Sequence, residues 1–259
     1  MTAKTVQKSL VLLDLLSRSR EPRGVAELGR ELGLPKSNVF RLLDTLVEGR
    51  YVRRREQDSR YELTLKLWEM GMMSFSQERL VEVARPFLDR LANETGESVH
   101  LAIYDEGESV FIDKRDGTHP VRGVTQVGSR APAYCCATGK VALAYCAPGE
   151  VARVTSRMKR QTPSTITSAP VLQRELKTIR QQGYAVNRGE WFEDVWGIAA
   201  AARNEADSMA ASIGIWAPKH RVYKRVEALG KTVAVMADAL SVALGCTPKK
   251  SDISASKGN

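Results

Sequence analysis

The sequence predicts an α+β protein with a small helical N-terminal unit, a connecting helix and a larger mixed α/β unit. Apolar residues recur at helical spacing through the N-terminal segment, and an arginine-rich hairpin pattern follows them. From Ser98 onward, strand patterns alternate with helical ones. A length of 259 residues favours more than one domain. We therefore divide the chain into residues 1–64, 65–79 and 80–247, with a Lys-, Ser- and Gly-rich loose tail at 248–259.

Three helices are predicted in the first unit. The first covers about residues 5–20 and has an apolar stripe made by Val6, Leu10, Leu13 and Leu16. The second covers residues 25–32 and ends at Gly33, because glycine readily takes the left-handed conformation just past a helix. Pro35 suits the first position of the third helix, where its fixed φ is already helical.

The third helix has an apolar and a polar side. Its inward face consists of Val39, Leu42, Leu43, Leu46 and Val47. The other face carries the candidate DNA-contacting residues Ser37, Asn38, Arg41 and Thr45, and Lys36 is placed for a phosphate. Arginine with guanine and asparagine with adenine are the base pairings that geometry favours in a major groove. An ordinary solvated helix face is the alternative interpretation.

A hairpin pattern favours the DNA interpretation. Two short strands are predicted at residues 51–55 and 60–63, joined by a turn-forming segment. They carry Arg53, Arg54, Arg55 and Arg60. Four guanidinium groups on one short hairpin repel one another unless an anion neutralises them, which is typical of a wing along a phosphate backbone. The net charge of +9 agrees with double-stranded DNA as a partner of this winged helix-turn-helix.

Other classes of protein receive little support. No apolar run is long enough for a bilayer and no signal-peptide pattern is present, so we expect a cytoplasmic protein without membrane contact. The four cysteines lack metal-type spacing and should be reduced. His100, His119 and His220 lie far apart, which disfavours a zinc site or a His-based triad. We predict no catalytic residues, no metal and no cofactor.

The segment after the hairpin is too apolar for a lone solvated helix. Its apolar residues are Leu65, Leu67, Trp68, Met70, Met72, Met73 and Phe75. A cofactor box is the alternative, but packing against the same helix of a second subunit is favoured. A further helix is predicted from about residue 78 to 93, with Pro86 kinking it or opening its second half.

The order of local motifs resembles the IclR family of bacterial transcription regulators over nearly the whole chain. The motifs are Gly33-Leu34-Pro35-Lys36-Ser37 with Arg41-Leu42-Leu43, Tyr61-Glu62-Leu63, Gly96-Glu97-Ser98, Gly128 through Pro132, Ala137-Thr138-Gly139-Lys140 and Gly183-Tyr184-Ala185-Val186. The resemblance implies an effector-binding domain of GAF-like shape after the linker helix. It also implies a homodimer or dimer of dimers and ligand-controlled transcription, as repressor or activator. Paired recognition helices about one DNA turn apart would read a pseudo-palindromic operator.

The resemblance also implies a small-molecule pocket. In IclR-like proteins this pocket is bounded by positions matching Ala137, Thr138, Gly139, Asn187, Gly197, Ile213 and Ile215. Amides at a helix start favour a carboxylate, and Thr138 adds a hydroxyl donor; the alternative is that Gly139 only permits a turn. Gly197 leaves room and the two isoleucines are apolar, unlike the more polar positions of family members that bind very small oxo acids.

We therefore hypothesise that the effector is an aromatic or hydroxy-aromatic carboxylate. Arg122 or Arg130 would pair with the carboxylate, and Tyr134 and Trp196 are candidate stacking surfaces. Two alternatives remain open. One is an enzyme with Cys135 or Cys136 as nucleophile near a helix start, and the other is a DNA-binding or architectural protein without a ligand.

Overall fold

A computed structural model describes residues 3–74, 78–119 and 125–247. The chain divides into two compact units, Met1–Glu78 and Arg79–Asn259. The predicted tail at 248–259, the linker residue Phe75 and the candidate ligand residue Arg122 lie outside the described residues. Within the described ranges, no helix has the length and apolar content that crossing a membrane requires.

The N-terminal unit is a winged helix-turn-helix, as the sequence predicts. Its elements are α1 (Lys4–Arg18), α2 (Val25–Leu32), α3 (Lys36–Glu48), β1 (Val52–Arg54), β2 (Tyr61–Leu63) and α4 (Lys66–Ser74). Leu12, Leu28 and Leu43 form the centre of its core and are fully buried. An antiparallel bridge between Arg23 and Tyr61 ties the wing to the segment before α2, through two N–H···O bonds of 2.9 and 2.8 Å.

The turn between α2 and α3 confirms one prediction and corrects another. Gly33 is left-handed at φ 63°, as expected for the residue after a helix. Pro35, however, is the residue before α3 and not its first helical position. Its ψ of 145° is extended, and its carbonyl accepts hydrogen bonds from the N–H groups of Asn38 and Val39. Pro35 thus acts as the N-cap, whose carbonyl accepts the first bonds of the helix.

The C-terminal unit packs helices on both faces of an antiparallel sheet. Its helices are α5 (Glu78–Thr95), α6 (Ala137–Tyr145), α7 (Pro148–Thr155), α8 (Ala169–Gln182), α9 (Lys219–Val222) and α10 (Val226–Ala243). Its strands are β3 (Ser98–Asp105), β4 (Glu108–Arg115), β5 (Arg130–Pro132), β6 (Ala185–Arg188), β7 (Val195–Arg203) and β8 (Met209–Pro218). The strand order is β5-β4-β3-β8-β7-β6. This arrangement confirms the predicted α+β class.

The two faces of the sheet have separate cores. Leu88 of α5 and Val233 of α10 pack with Leu101, Ile213 and Ile215 on one face. On the other face, α6 and α8 pack with β6 and β7 in a second apolar cluster. Because side chains alternate along a strand, Gly214 and Trp216 belong to this second face. That alternation decides which residues face α6.

Candidate nucleic-acid interface and ligand cavity

Helix α3 presents a solvated face with the predicted residues on it. Lys36, Ser37, Asn38, Arg41 and Thr45 are all exposed. The Thr45 hydroxyl donates to the Arg41 carbonyl at 3.1 Å, so it is satisfied within the helix. Two further residues of this face, Phe40 and Asp44, are also exposed and were not among the candidates.

The wing arginines differ in how they are paired. Arg53 lies opposite Glu62 in the β1–β2 register, and its Nε forms an ion pair with Glu62 Oε1 at 2.7 Å. Arg60 pairs with Glu27 of α2 at 3.2 Å. The sequence argument that an external anion must neutralise all four arginines is therefore wrong, because this chain supplies carboxylates to some of them.

The remaining two wing arginines complete this pattern. Arg55 lies 3.9 Å from Asp58 of the turn. Arg54 donates to the Ser59 hydroxyl at 2.8 Å, and among the described residues it has no carboxylate within ion-pair distance. Arg54 is thus the wing arginine whose charge is not neutralised within the described chain.

In the C-terminal unit, a small cavity lies at the start of α6. The space open to a water-sized sphere is about 30 Å³, which is on the scale of a single water molecule. Strands β3, β4, β7 and β8 and the loop after β6 contribute to its wall. The lining residues are His100, Phe111, Cys136, Ala137, Thr138, Asn187, Trp191, Phe192, Val195, Trp196, Gly197, Ile198, Gly214, Ile215 and Trp216.

The first turn of α6 forms the polar end of this cavity. Ala137 and Thr138 line it, and the N–H groups of a first helical turn have no partner within the helix. Ser109 Oγ donates to Thr138 Oγ1 at 2.8 Å. The Thr138 hydroxyl therefore keeps its own proton to donate, either to the Cys136 sulfur at 3.6 Å or to a ligand.

A continuous set of aromatic rings forms the apolar end. The His100 ring centroid lies 5.1 Å from that of Phe111 and 5.6 Å from that of Trp216. The Trp216 ring centroid in turn lies 6.2 Å from that of Trp191 and 5.8 Å from that of Phe192. These spacings are typical of favourable aromatic pairs. Sequence reasoning named none of these five residues as ligand contacts.

The imidazole of His100 is neutral at neutral pH. Burial lowers its pKa to about 4, because the charged form is poorly solvated inside the unit. A neutral imidazole has one donor and one acceptor nitrogen. Trp216 adds a buried Nε1–H that has no hydrogen-bond partner among the described residues. The aromatic end therefore contains polar atoms that a bound molecule could engage.

Some predicted effector residues lie at the cavity and others do not. Those that line it are Ala137, Thr138, Asn187, Trp196, Gly197 and Ile215. Ile213 does not, because it is fully buried in the core with α5 and α10. Ile215 packs in that same core and also lines the cavity, where its strand neighbours Gly214 and Trp216 lie as well.

Three more predicted residues have other surroundings. Arg130 is exposed and pairs with Asp105 at 2.6 Å and Glu108 at 3.1 Å. The Tyr134 hydroxyl donates to the Lys159 carbonyl at 2.8 Å, within the second core. Gly139 packs on the preceding 3-10 helix Ala133–Cys135, since a Cβ there would lie 2.2 Å from Ala133 Cα. Close packing, and not ligand contact, accounts for that glycine.

A buried lysine joins the elements around the cavity. Lys140 of α6 has no exposed surface, and its Nζ contacts Glu190 at 2.7 Å and Glu175 at 3.2 Å. Lys140 Nζ also donates to the Val186 carbonyl at 2.7 Å. Because Glu190 directly precedes Trp191, this ion pair links the helix start to the aromatic wall.

The loop around Glu190 is held by further contacts. The Glu190 N–H donates to Asn187 Oδ1 at 2.8 Å, and the Glu190 carbonyl accepts a hydrogen bond from Thr165 Oγ1 at 2.7 Å. Gly189 is left-handed at φ 78°, and a Cβ there would lie 2.4 Å from the Glu193 carbonyl oxygen. These contacts determine the position from which Trp191 and Phe192 enter the cavity.

The cysteines beside the cavity are poor nucleophiles. Burial raises the pKa of both the Cys135 and Cys136 thiols, so they stay protonated at neutral pH. This removes the lowered thiol pKa on which the enzyme alternative depends. Within the described ranges, no cluster of three or more His, Cys, Asp or Glu side chains could hold a metal ion.

Comparison with known proteins identifies the family. Residues 72–242 match the model described as bacterial transcriptional regulator IclR C-terminal, and residues 5–56 match the IclR helix-turn-helix domain. This chain belongs to the IclR family. Like its relatives, it is a helix-turn-helix transcriptional regulator that binds DNA, which confirms the resemblance found in the sequence.

Similar regulators span most of this IclR-family protein. The transcriptional repressor AllR of Salmonella paratyphi A is 30% identical over 249 residues, covering 95% of this chain and 92% of the relative. The regulator KdgR of Escherichia coli is 32% identical over 222 residues, covering 85% and 84%. The names of these relatives point to regulation of transcription and not to enzymatic activity.

Solved structures share the fold. The Thermotoga maritima IclR structure has a TM-score of 0.75 at 28% identity, covering 94% of this chain and 100% of that one. An IclR homolog from Microbacterium hydrocarbonoxydans, complexed with 4-hydroxybenzoate, has a TM-score of 0.80 at 24% identity, covering 93% and 98%. The second likeness establishes the fold alone.

The Lys140 contacts lead to a stability prediction. Lys140→Met should lower the free energy of unfolding by about 3–5 kcal/mol, because it leaves the buried Glu190 carboxylate without its cationic partner. Lys177→Met, an exposed change on α8, is the matched control and should stay within about 0.5 kcal/mol of the wild type. Urea unfolding of both variants measures the difference, and equal small losses would contradict the proposed role of the ion pair.

Proposed function

We propose that this regulator binds a small aromatic carboxylate in the cavity at the start of α6. Occupancy of that cavity would control the affinity of the protein for operator DNA. The observation that carries the proposal is the juxtaposition of a helix start with five contacting rings. One end suits an anion and the other suits a flat apolar group. A molecule with both features is an aromatic acid.

The carboxylate would be held without a guanidinium group. Among the described residues, no arginine lines the cavity. The first-turn amides of α6 and the positive end of its dipole favour an anion, and Thr138 adds a hydroxyl donor. Hydrogen bonds from neutral donors to an ionised carboxylate are short and strong, so this end of the cavity can orient the acid.

The small volume of the cavity couples binding to movement. A space of about 30 Å³ is smaller than a benzene ring needs, so we expect the aromatic wall to move when an aromatic acid enters. Phe192 is 47% exposed and follows Trp191 in the loop anchored by Glu190. A ligand that binds only the open arrangement shifts the population toward it, which is the physical requirement for control by an effector.

One solved relative supports the aromatic class of ligand. The Microbacterium homolog, which has a similar fold, is complexed with 4-hydroxybenzoate, an aromatic acid. Gly197 and Ile215, two of the positions at which this sequence is less polar than family members that bind very small oxo acids, line the cavity. Both points agree with the ring-lined wall described above.

On the DNA side, we propose contacts from α3 and the wing. The candidates are Lys36, Ser37, Asn38, Arg41, Thr45, Arg53, Arg54, Arg55 and Arg60. Arg41 makes no ion pair among the described residues, so its guanidinium is available for a base edge. Arg54 is available for a phosphate.

A dimer or dimer of dimers would supply two recognition helices. Helix α4 exposes large apolar side chains, with 62% of Trp68 and 89% of Met73 open to solvent. Such surface is costly on a lone helix and favours packing against a second copy. Two α3 helices about 34 Å apart would read a pseudo-palindromic operator.

A ligand-free DNA-binding protein is the second candidate. The observation in its favour is the same small cavity, which side chains nearly fill. In that case the C-terminal unit would serve oligomerisation alone. Titration with ligands separates the two candidates.

For that titration, we expect tryptophan fluorescence and calorimetry of the full chain to detect benzoate and 4-hydroxybenzoate but not glyoxylate or pyruvate. Thr138→Val should weaken binding at least about tenfold, because it removes a hydrogen bond to a charged group. Thr178→Val on α8 is the matched control, because among the described residues its hydroxyl bonds to the Arg174 carbonyl alone. Binding confined to the short acids would contradict the aromatic class, and no binding would favour the ligand-free protein.

The DNA assignment predicts different effects for two arginines. Arg54→Ala should weaken operator and random DNA alike and make the slope of log K against log salt shallower by about 1. Arg41→Ala should instead relax specificity at one position per half-site. Fluorescence anisotropy on both DNAs at several salt concentrations measures this, with Arg90→Ala on α5, an exposed arginine paired with Glu94, as control. Equal losses on both DNAs for Arg41 and Arg54 would overturn the division of roles.

A further inference from the structure

Helix α3 exposes an aromatic ring beside its polar face. Phe40 is 46% exposed, although it lies between Val39, which is fully buried, and the exposed Arg41. At 3.6 residues per turn, Phe40 follows Lys36 by one turn and precedes Asp44 by one turn. These three residues form one flank of the solvated face, beside Ser37 and Arg41 at its middle.

The core of the N-terminal unit does not require this ring. Val39, Leu42, Leu43 and Leu46 fill the interior side of α3, and Phe40 is not a member of that cluster. Among the described residues, Phe40 also makes no ring–ring contact. A large ring at this position therefore adds little to the fold of the unit.

The charge next to Phe40 limits what this flank can contact on DNA. Asp44 is exposed and makes no ion pair among the described residues. A carboxylate repels phosphates, but it can accept a hydrogen bond from a base amino group in the major groove. The flank with Phe40 and Asp44 thus suits the base edges better than a phosphate strand.

Thymine provides the apolar group that fits an exposed phenyl ring. Its C5-methyl group is exposed in the major groove and is apolar, and phenylalanine is among the side chains that contact it. We propose that Phe40 reads the C5-methyl group of a thymine in each operator half-site. This inference rests on the proposed function, since it requires α3 to be the helix that enters the major groove.

The test removes the methyl group from DNA and the ring from the protein. An operator is first selected from random duplex DNA with the full wild-type chain. Each thymine of one half-site is then replaced in turn by deoxyuridine, which lacks only the C5-methyl group. Affinities are measured at fixed salt for the wild type, for Phe40→Ala and for Leu10→Ala, which removes a 57% exposed apolar side chain of α1 as the matched control.

We expect one thymine whose replacement lowers wild-type affinity about fourfold, the effect of one lost methyl burial. That loss should disappear in Phe40→Ala and persist in Leu10→Ala. Phe40→Ala should keep the wild-type thermal unfolding midpoint because the ring is outside the core.

Two results overturn the inference and differ in meaning. If Phe40→Ala shows the same profile of deoxyuridine losses as the wild type, the thymine contact is wrong while operator binding stands. If no operator can be selected with the wild type, the proposed function itself fails.

Discussion

The buried ammonium group of Lys140 is the constraint on which the C-terminal unit depends. An ammonium group without exposed surface is costly unless partners surround it, and here two carboxylates and one carbonyl do so. These partners come from α8, from β6 and from the loop after β6. Satisfying one charge therefore holds three separate segments against the start of α6.

The cavity follows from that arrangement. Glu190 is anchored, so Trp191 and Phe192 enter the space beside Thr138 from a defined position. Tight backbone packing at Gly139 and Gly189 brings the segments close. An anion-favouring helix start and an aromatic wall are consequently adjacent, and any ligand that separates them acts on the loop held by Lys140.

Local features of the fold could be predicted from the sequence, and contacts between distant residues could not. Helical spacing and Gly33 located the three N-terminal helices, and strand alternation located β3 and β4. The partners of the wing arginines were missed because Glu27 lies far from Arg60 in the chain. The ring wall was missed because its residues come from β3, β4, β8 and one loop, which lie far apart in the sequence. Phe40 was missed because only polar residues of α3 were considered as DNA contacts.

The central claim is that the cavity and the DNA-binding surface are energetically coupled. By linkage, the factor by which an acid changes operator affinity equals the factor by which operator changes acid affinity. The most direct measurement is the affinity of the full chain for 4-hydroxybenzoate with and without saturating operator duplex at fixed salt. The account predicts a change of about 5- to 150-fold. Equal affinities in the two conditions, with both ligands bound, would contradict it.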